Sequence, residues 1–378
     1  MGANLVVTGA GGFLGTHLLR KLIKQTDAII YAVVRNKWSA QSADLLELGA
    51  GRVYLVTGDI SLPNVARIST LPRIDEFWHL AGSTDFQRRD LAMSVNVMGT
   101  SNVLNLAKRL DVRAFFHVST AYVAGLHHGL VAEDALLKNP KFRNVYEESK
   151  YQGERIVRES GLPFIIMRPS IIMGDSVTGE AKSDKMVYGV LKLCERALGI
   201  LKREYGETIP SSVNYFIKGN RAASKNLIAI DDVADLMLHV RQKGQVGKTY
   251  HLCNPVSTTI GEIHDCVQKT LNINFLTAAP DYPDSHDIRQ KMIDRGVRVY
   301  EPYVLNSDPD FDMTNTHSIS DLAIKPVDKK LQCFLYERYV SHLRTFPPDR
   351  VERSTSYIPQ IGTQSVRPIL RKAKSASL

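Results

Sequence analysis

The chain has 378 residues, of which 44% are hydrophobic and 23% charged, and it carries a formal charge of +9. That length and balance suit one large α/β core with a smaller cap, and they exclude a collagen-like, disordered or disulfide-dense chain. No nucleic-acid-binding module accompanies the basic balance, so nucleic acid is not an expected partner.

The run Asn4-Leu-Val-Val-Thr8 reads as a short buried strand. It leads into Gly9-Ala-Gly-Gly12-Phe13-Leu14-Gly15 and then a helix with Leu18, Leu19, Leu22 and Ile23 at helical spacing. Strand, glycine turn and helix in this order form a dinucleotide-binding loop. The absent side chains let the backbone approach a pyrophosphate, the helix N-terminus stabilises its charge, and Gly15 permits close helix–strand packing. The spacing is G-x-x-G-x-x-G, a departure from G-x-G-x-x-G. The second strand, Ala28–Val34, ends at Arg35 with Lys37 close behind, where an NAD site usually carries a carboxylate. A guanidinium pairs with the 2′-phosphate that a carboxylate would repel, so the expected cofactor is NADPH (NADP).

Arg52–Val56 is the third expected strand, ending at Gly58-Asp59-Ile60, with Asp59 placed to meet the adenine amino group and Ile60 its ring. Glu76–Leu80 is the fourth and runs into Ala81-Gly82, small residues that let a nicotinamide ribose come close. A long helical pattern with Val95, Val103, Leu104 and Leu106 leads to the fifth strand, Ala114–Val118, and then Thr120. A further helix precedes the sixth strand, Pro163–Met167, which ends at Arg168-Pro169-Ser170. Alternation of this kind predicts an α/β fold, a doubly wound parallel Rossmann sheet with right-handed crossovers. Ligands of such sheets bind at the carboxyl ends of strands. Gly9, Arg35, Asp59, Ala81, Thr120 and Pro169 all fall at such ends.

The helix before the sixth strand carries Tyr146-Glu-Glu-Ser-Lys150, so a phenol and an ammonium share one face. The ammonium is expected to lower the phenol from about 10 toward working pH and make it a usable acid or base. Thr120 would hold the substrate oxygen beside it. A second Tyr-x-x-x-Lys, Tyr188 to Lys192, lacks this context and is read as chance.

Beyond residue 177 the pattern weakens. Met186–Leu201 predicts an amphipathic helix whose face of Met186, Val190, Leu193, Ala197 and Ile200 reads first as core packing and second as an acyl channel wall. Leu227–Ile230 predicts a strand, followed by a helix capped by Asp231 or Asp232, and Thr249–Cys253 a last strand. Residues 279–326 read as loop-heavy, Asp328–Leu343 as helix, and 351–378 as a mobile basic tail with five Arg or Lys and one Glu. Cys194, Cys253, Cys266 and Cys333 show neither metal nor disulfide spacing, which predicts reduced thiols, a cytoplasmic location and no metal site. His127-His128 is read as an ordinary loop pair. No apolar stretch reaches about 18 residues and no signal peptide is read. Met1-Gly2 lacks the Ser or Thr at position 6 of a myristoylation signal.

Thr8-Gly-x-x-Gly-x-x-Gly15, His79-Leu-Ala-Gly82, Val118-Ser-Thr-Ala-Tyr-Val-Ala-Gly125, Tyr146-Glu-Glu-Ser-Lys150 and Arg168–Gly179 together resemble the extended short-chain dehydrogenase/reductases. Ser119–Val123 and Gly174–Gly179 narrow the resemblance to the branch of fatty acyl-CoA reductases and thioester reductase domains, over roughly residues 3 to 255. The resemblance implies a proton-donating Tyr146, a polarising Thr120, and Lys150 bridging the nicotinamide ribose. It implies that Asn96 supports the proton relay or the loop after the fourth strand, and that Thr8, Gly9, Gly12, Phe13, Leu14, Gly15, Arg35, Lys37, Asp59, Ile60, Ala81, Gly82, Pro169 and Ser170 surround the cofactor. It also implies a domain division: a Rossmann domain at 1–177, rejoined by about 226–254, and a discontinuous cap at 178–225 and 255–350. The expected reaction is NADPH-dependent reduction of an acyl-CoA or of an acyl group on a carrier protein, to aldehyde or alcohol. A homodimer is a further expectation. No adenylation or carrier segment is read, so the acyl group would arrive on an acidic partner; residues 178–225, with nine Lys or Arg against five Asp or Glu, read either as a positive surface that steers it or as solvated helix faces. Two alternatives stay open: an alcohol or hydroxysteroid dehydrogenase or nucleotide-sugar enzyme on the same frame, and a non-enzymatic dinucleotide sensor.

Overall fold

Strand residues alternate faces, so a strand covered on both sides must be apolar throughout. The central strands obey this rule in the computed structural model, which describes residues 2–49, 51–66, 71–210 and 212–345. Leu5, Val7, Trp78, Phe116, Ile165 and Met167 enter one core with Leu18, Leu19, Leu22 and Met237. Their neighbours Val6, Phe77, Phe115 and Ile166 enter a second core with Val103, Leu104, Ala107 and Val157. Trp78 stacks on Phe116 at 4.1 Å between ring centroids in the first, and Phe77 on Phe115 at 5.6 Å in the second. Cross-strand aromatic pairs of this kind fix register.

Seven strands form the sheet, in the order Thr249–Leu252, Phe164–Pro169, Ala114–Val118, Glu76–His79, Asn4–Thr8, Ile29–Val34, Val53–Thr57. All pairs are parallel. The order reverses at Asn4–Thr8, whose neighbours lie on opposite sides, and a switch point of this kind opens a crevice at the carboxyl ends of the strands. The helices Phe13–Gln25 and Ile230–Lys243 cover one face, and Gly99–Arg109 and Val145–Arg158 the other.

Several expectations need correcting. Asp231 and Asp232 lie inside the first turn of their helix, whose N-cap is Ala229; Asp231 instead accepts from the Ser176 backbone N–H and hydroxyl at 2.8 and 2.6 Å. Leu227–Ala229 pairs with Ile171–Met173 in a separate two-stranded sheet. The helix Met186–Tyr205 buries Val187, Leu191, Cys194, Leu198 and Leu201, one position away from the expected face. Met186 and Val190 stay half-buried because they line cavities. Residues 279–326 hold more order than expected, with helices at Ile288–Val297, Glu301–Val304 and Thr314–Ile319.

Residues up to Val340 form one compact unit. The expected tail at 351–378 lies outside the described residues. Among the described residues, no helix is long and apolar enough to cross a membrane, and no three His, Cys, Asp or Glu stand together as a metal site.

Candidate active site

The turn after the first strand is shaped by two glycines. Gly9 has φ +76°, and a Cβ there would stand 2.5 Å from the Ala81 nitrogen; a Cβ on Gly15 would stand 2.2 Å from the Gly9 carbonyl oxygen. Neither position admits a side chain. The Gly12 N–H donates to the Gly9 carbonyl at 3.0 Å, and Gly12 is the N-cap of the helix opening with Phe13 and Leu14, without a side-chain cap. Free helix N–H groups therefore face the crevice, a fit for pyrophosphate. Thr8 is buried; its hydroxyl binds His79 Nδ1 at 2.8 Å and accepts from the Ala81 N–H at 3.4 Å, tying the turn to the loop after the fourth strand.

Arg35 and Lys37 are exposed just beyond the second strand. Asp59, at the end of the third, accepts from the Ser61 N–H and hydroxyl at 2.9 and 2.7 Å. Ile60 packs where a Gly99 side chain would otherwise stand. These four residues lie just beyond the ends of the second and third strands, on one half of the sheet edge.

On the other half, Thr120, Tyr146, Pro169 and Ser170 line one cleft together with Phe86, Tyr122 and Tyr303. Thr120 caps a single turn at Ala121–Ala124 by accepting from the Tyr122 N–H, and its hydroxyl donates to the Pro169 carbonyl at 3.4 Å. Tyr146 lies on the helix Val145–Arg158, capped by Asn144. Phe86 covers its ring at 5.7 Å. Burial pushes the phenol up to about 12, while the Thr120 hydroxyl acts in the opposite direction. This corrects the expected lowering by Lys150. The Lys150 ammonium instead donates to the Val118 carbonyl at 2.7 Å, and burial pulls it down to about 8 against the pull of Glu154. Desolvation outweighs the charge effect that the four-residue spacing suggested.

Asn96 lies on a π-helical segment, Ser94–Met98, that interrupts the expected long helix; such bulges recur at functional sites. Its amide accepts from the Ser83 N–H at 2.7 Å and donates to the Ser83 carbonyl at 2.9 Å and to the Ser149 hydroxyl at 2.8 Å. The Ser149 hydroxyl donates on to the Tyr146 carbonyl at 2.9 Å. Asn96 therefore joins the loop after the fourth strand to the helix of Tyr146, and positions both. A Cβ at Gly82 would stand 3.2 Å from Asn96 Oδ1 and 4.0 Å from Lys150 Nζ, so Gly82, Asn96 and Lys150 are neighbours.

Ser83, Phe86, Ser149 and Tyr303 escaped the sequence reading. Ser149 lies within the Tyr-x-x-x-Lys segment itself. Tyr303, in the stretch read as loop, meets Phe86 at 5.6 Å and Tyr122 at 5.6 Å; its only sequence signal is the aromatic content of Tyr300–Tyr303.

Known proteins resemble this chain in sequence and fold. Nonribosomal peptide synthetase asaC of Aspergillus flavus is 25% identical over 316 residues, covering 75% of this chain and 29% of that protein. Isonitrile lipopeptide synthase of Mycobacterium tuberculosis is 27% identical over 301 residues, covering 68% of this chain and 12% of that protein. The chain thus corresponds to a fraction of each relative's length. The terminal R domain from the myxalamid PKS-NRPS biosynthetic pathway superposes with a TM-score of 0.72 at 25% identity, covering 91% of both chains. The fold is that of an extended short-chain dehydrogenase/reductase. Residues 7–236 match the family model described as male sterility protein, and the chain belongs to that NAD-binding family.

Proposed function

We propose that this protein is an NADPH-dependent reductase of an acyl thioester, carried by a carrier protein or by CoA, yielding an aldehyde or alcohol. The observation that carries the reading is the pairing of the Thr120 hydroxyl with the Tyr146 phenol in a cleft at the same sheet edge as a glycine turn that admits no side chain at Gly9 or Gly15. The names of the relatives above, a peptide synthetase, a lipopeptide synthase and a terminal R domain, support a carrier-bound acyl group in preference to a sugar. Four buried free thiols suit a reducing, cytoplasmic compartment.

When bound, NADPH supplies the hydride. The chain's own residues do the rest. Thr120 and Tyr146 hold the carbonyl oxygen and stabilise its developing charge. Tyr146 delivers the proton, and a phenol held near 12 remains protonated and ready to donate at neutral pH. Lys150 turns its ammonium to the ribose side of the cleft, beside Gly82, and Asn96 fixes the loop that carries Gly82. Loss of the thiol from the reduced carbonyl leaves the aldehyde.

Incubation with NADPH and either acyl-CoA or carrier-bound acyl groups tests the reading: NADPH is consumed as free thiol appears. Turnover of free alcohols or sugars alone, with every thioester inert, would remove it. The coenzyme preference rests on Arg35. Arg35→Asp should shift kcat/KM from NADPH toward NADH by about 10- to 100-fold, the worth of a charge-assisted hydrogen bond. Unchanged selectivity would assign the phosphate to another cation such as Lys37.

The ammonium of Lys150, depressed to about 8, sets a pH limit. It is charged below that value and neutral above it, so kcat/KM should fall as pH rises through about 8 in a profile over about pH 6 to 10. Lys150→Arg, charged throughout, should lose that basic limb. A wild-type profile flat through the range would detach Lys150 from the reaction.

A further inference from the structure

A second cavity opens beside the catalytic cleft. Ile171, Met186 and Val187 line both spaces, so the two adjoin at that wall. Met186 stands at the junction with φ +51°, a conformation uncommon outside glycine and one that aims this side chain by constraint.

The chamber is built by the cap. Its floor is the parallel pair Tyr215–Lys218 and Leu276–Ala279, and the helices Met186–Tyr205 and Ile260–Leu271 close its sides. The lining is aliphatic, with Val190, Ile217, Leu227, Ile263, Val267 and Leu276 among its residues. Its four polar liners are all engaged within the protein. The Lys225 ammonium pairs with Asp308 at 2.5 Å, both side chains 2% exposed. His264 meets Arg221 through Nδ1 at 2.8 Å and the Leu276 carbonyl through Nε2 at 3.1 Å. Lys218 lies 3.8 Å from Glu301, and Tyr300 contacts the Met186 backbone. A polar or charged ligand would find no partner here, and burying its group would cost the full desolvation. An apolar space of this kind stays dry and takes hydrocarbon.

We propose that this chamber is the acyl-tail site, and that it selects a linear hydrocarbon chain over acyl groups with polar or charged ends. The proposal rests on the thioester reading above and narrows it. With the carbonyl held between Thr120 and Tyr146, the chain would pass Ile171, Met186 and Val187 into the chamber, while the thiol side leaves through the open cleft.

The test separates the tail site from the reaction by measuring binding without NADPH. Isothermal titration with acetyl-, hexanoyl- and decanoyl-pantetheine should give affinity rising about fourfold per methylene until the chamber is full, with an increasingly negative heat-capacity change. Two variants fill the chamber from opposite walls. A Cβ at Gly219 would lie 3.4 Å from Ile260 and 3.9 Å from Ala278, ordinary contacts, so Gly219→Leu is tolerated by the backbone and projects into the space. Val190→Trp does the same from the helix. Each should erase the gain from acetyl to decanoyl while NADPH affinity, read by fluorescence titration, shows that the fold persists. If one variant loses NADPH binding, the other and the wild-type series still decide. Equal affinity for all three chains in the wild-type protein, or an undiminished gain in a folded variant, would overturn the tail site. The same compounds with NADPH then test the reaction. Chain-dependent binding with no NADPH oxidation leaves the chamber and removes the reductase; oxidation independent of chain length leaves the reductase and removes the chamber.

Discussion

Tyr146→Phe should lower turnover by about 10²- to 10⁴-fold, the range for losing a general acid, with NADPH affinity almost unchanged. The phenol oxygen is the only atom removed. The ring keeps its contact with Phe86, and the helix keeps its Asn144 cap and its Ser149 bridge to Asn96. The glycine turn and helix N-terminus proposed to hold the pyrophosphate lie on other elements, and Lys150 is left in place. Thr120 remains to hold the oxyanion, so residual activity above the uncatalysed rate is expected. Thr120→Val should cost less, because it leaves the proton donor in place. Stopped-flow measurement of NADPH oxidation, alongside fluorescence titration of NADPH binding, separates the two effects. Turnover of Tyr146→Phe within a few fold of wild type would mean that the proton comes from elsewhere.

The nucleotide-binding half is legible in the sequence because its signals are local. A buried parallel strand must be apolar on both faces, and a tight turn at the end of Asn4–Thr8 must be glycine; composition and order reveal both without knowledge of tertiary contacts. The proposed pair Tyr146 and Lys150 is legible for the same reason, since a four-residue spacing on one helix marks it. What fails to show is long-range. The direction of the Tyr146 pKa depends on burial of the ring, with Phe86 packed on it, outweighing the Thr120 hydroxyl, and on the Val118 carbonyl holding the Lys150 ammonium, and none of these is encoded by the spacing of Tyr146 and Lys150. The π-helical segment that turns Asn96 inward has the same periodicity, to the eye, as the helices on either side. The cap is least legible because its walls are assembled from segments far apart in the chain. Met186 and Val190 belong to the helix face that the sequence marks as a candidate channel wall, and both line the second cavity. Leu193, Ala197 and Ile200, from the same expected face, do not line it.

Arg168→Met should destabilise the fold by about 3 to 5 kcal/mol, the cost of removing one partner from a buried ion pair. Arg168 is fully buried at the end of the strand Phe164–Pro169. Its guanidinium donates to both carboxylate oxygens of Glu154 at 3.0 and 2.7 Å and to the Ala135 carbonyl at 2.8 Å. Glu154, also fully buried, lies one turn beyond Lys150 on the catalytic helix and takes a further contact from Arg158 at 2.9 Å. The pair therefore bolts the helix of Tyr146 to the strand whose Pro169 carbonyl holds Thr120, and its loss should loosen the placement of Thr120 and Tyr146 as well as the fold. Burial raises the Glu154 carboxyl, but Arg168 and Arg158 outweigh it and hold it down at about 2. A carboxyl held below its unfolded value of about 4.3 contributes stability that is complete above that value and is lost as pH falls toward 2. Urea unfolding at neutral pH should show the deficit of Arg168→Met directly. The variant should also lose less further stability than wild type on acidification from about pH 5 to 3, because its carboxylate is no longer held so low. Adding Glu154→Leu to Arg168→Met should recover part of the loss by removing the stranded charge. A single-variant deficit below about 1 kcal/mol, the scale of a surface pair, would show that Arg158 alone satisfies Glu154 and that the bolt lies elsewhere.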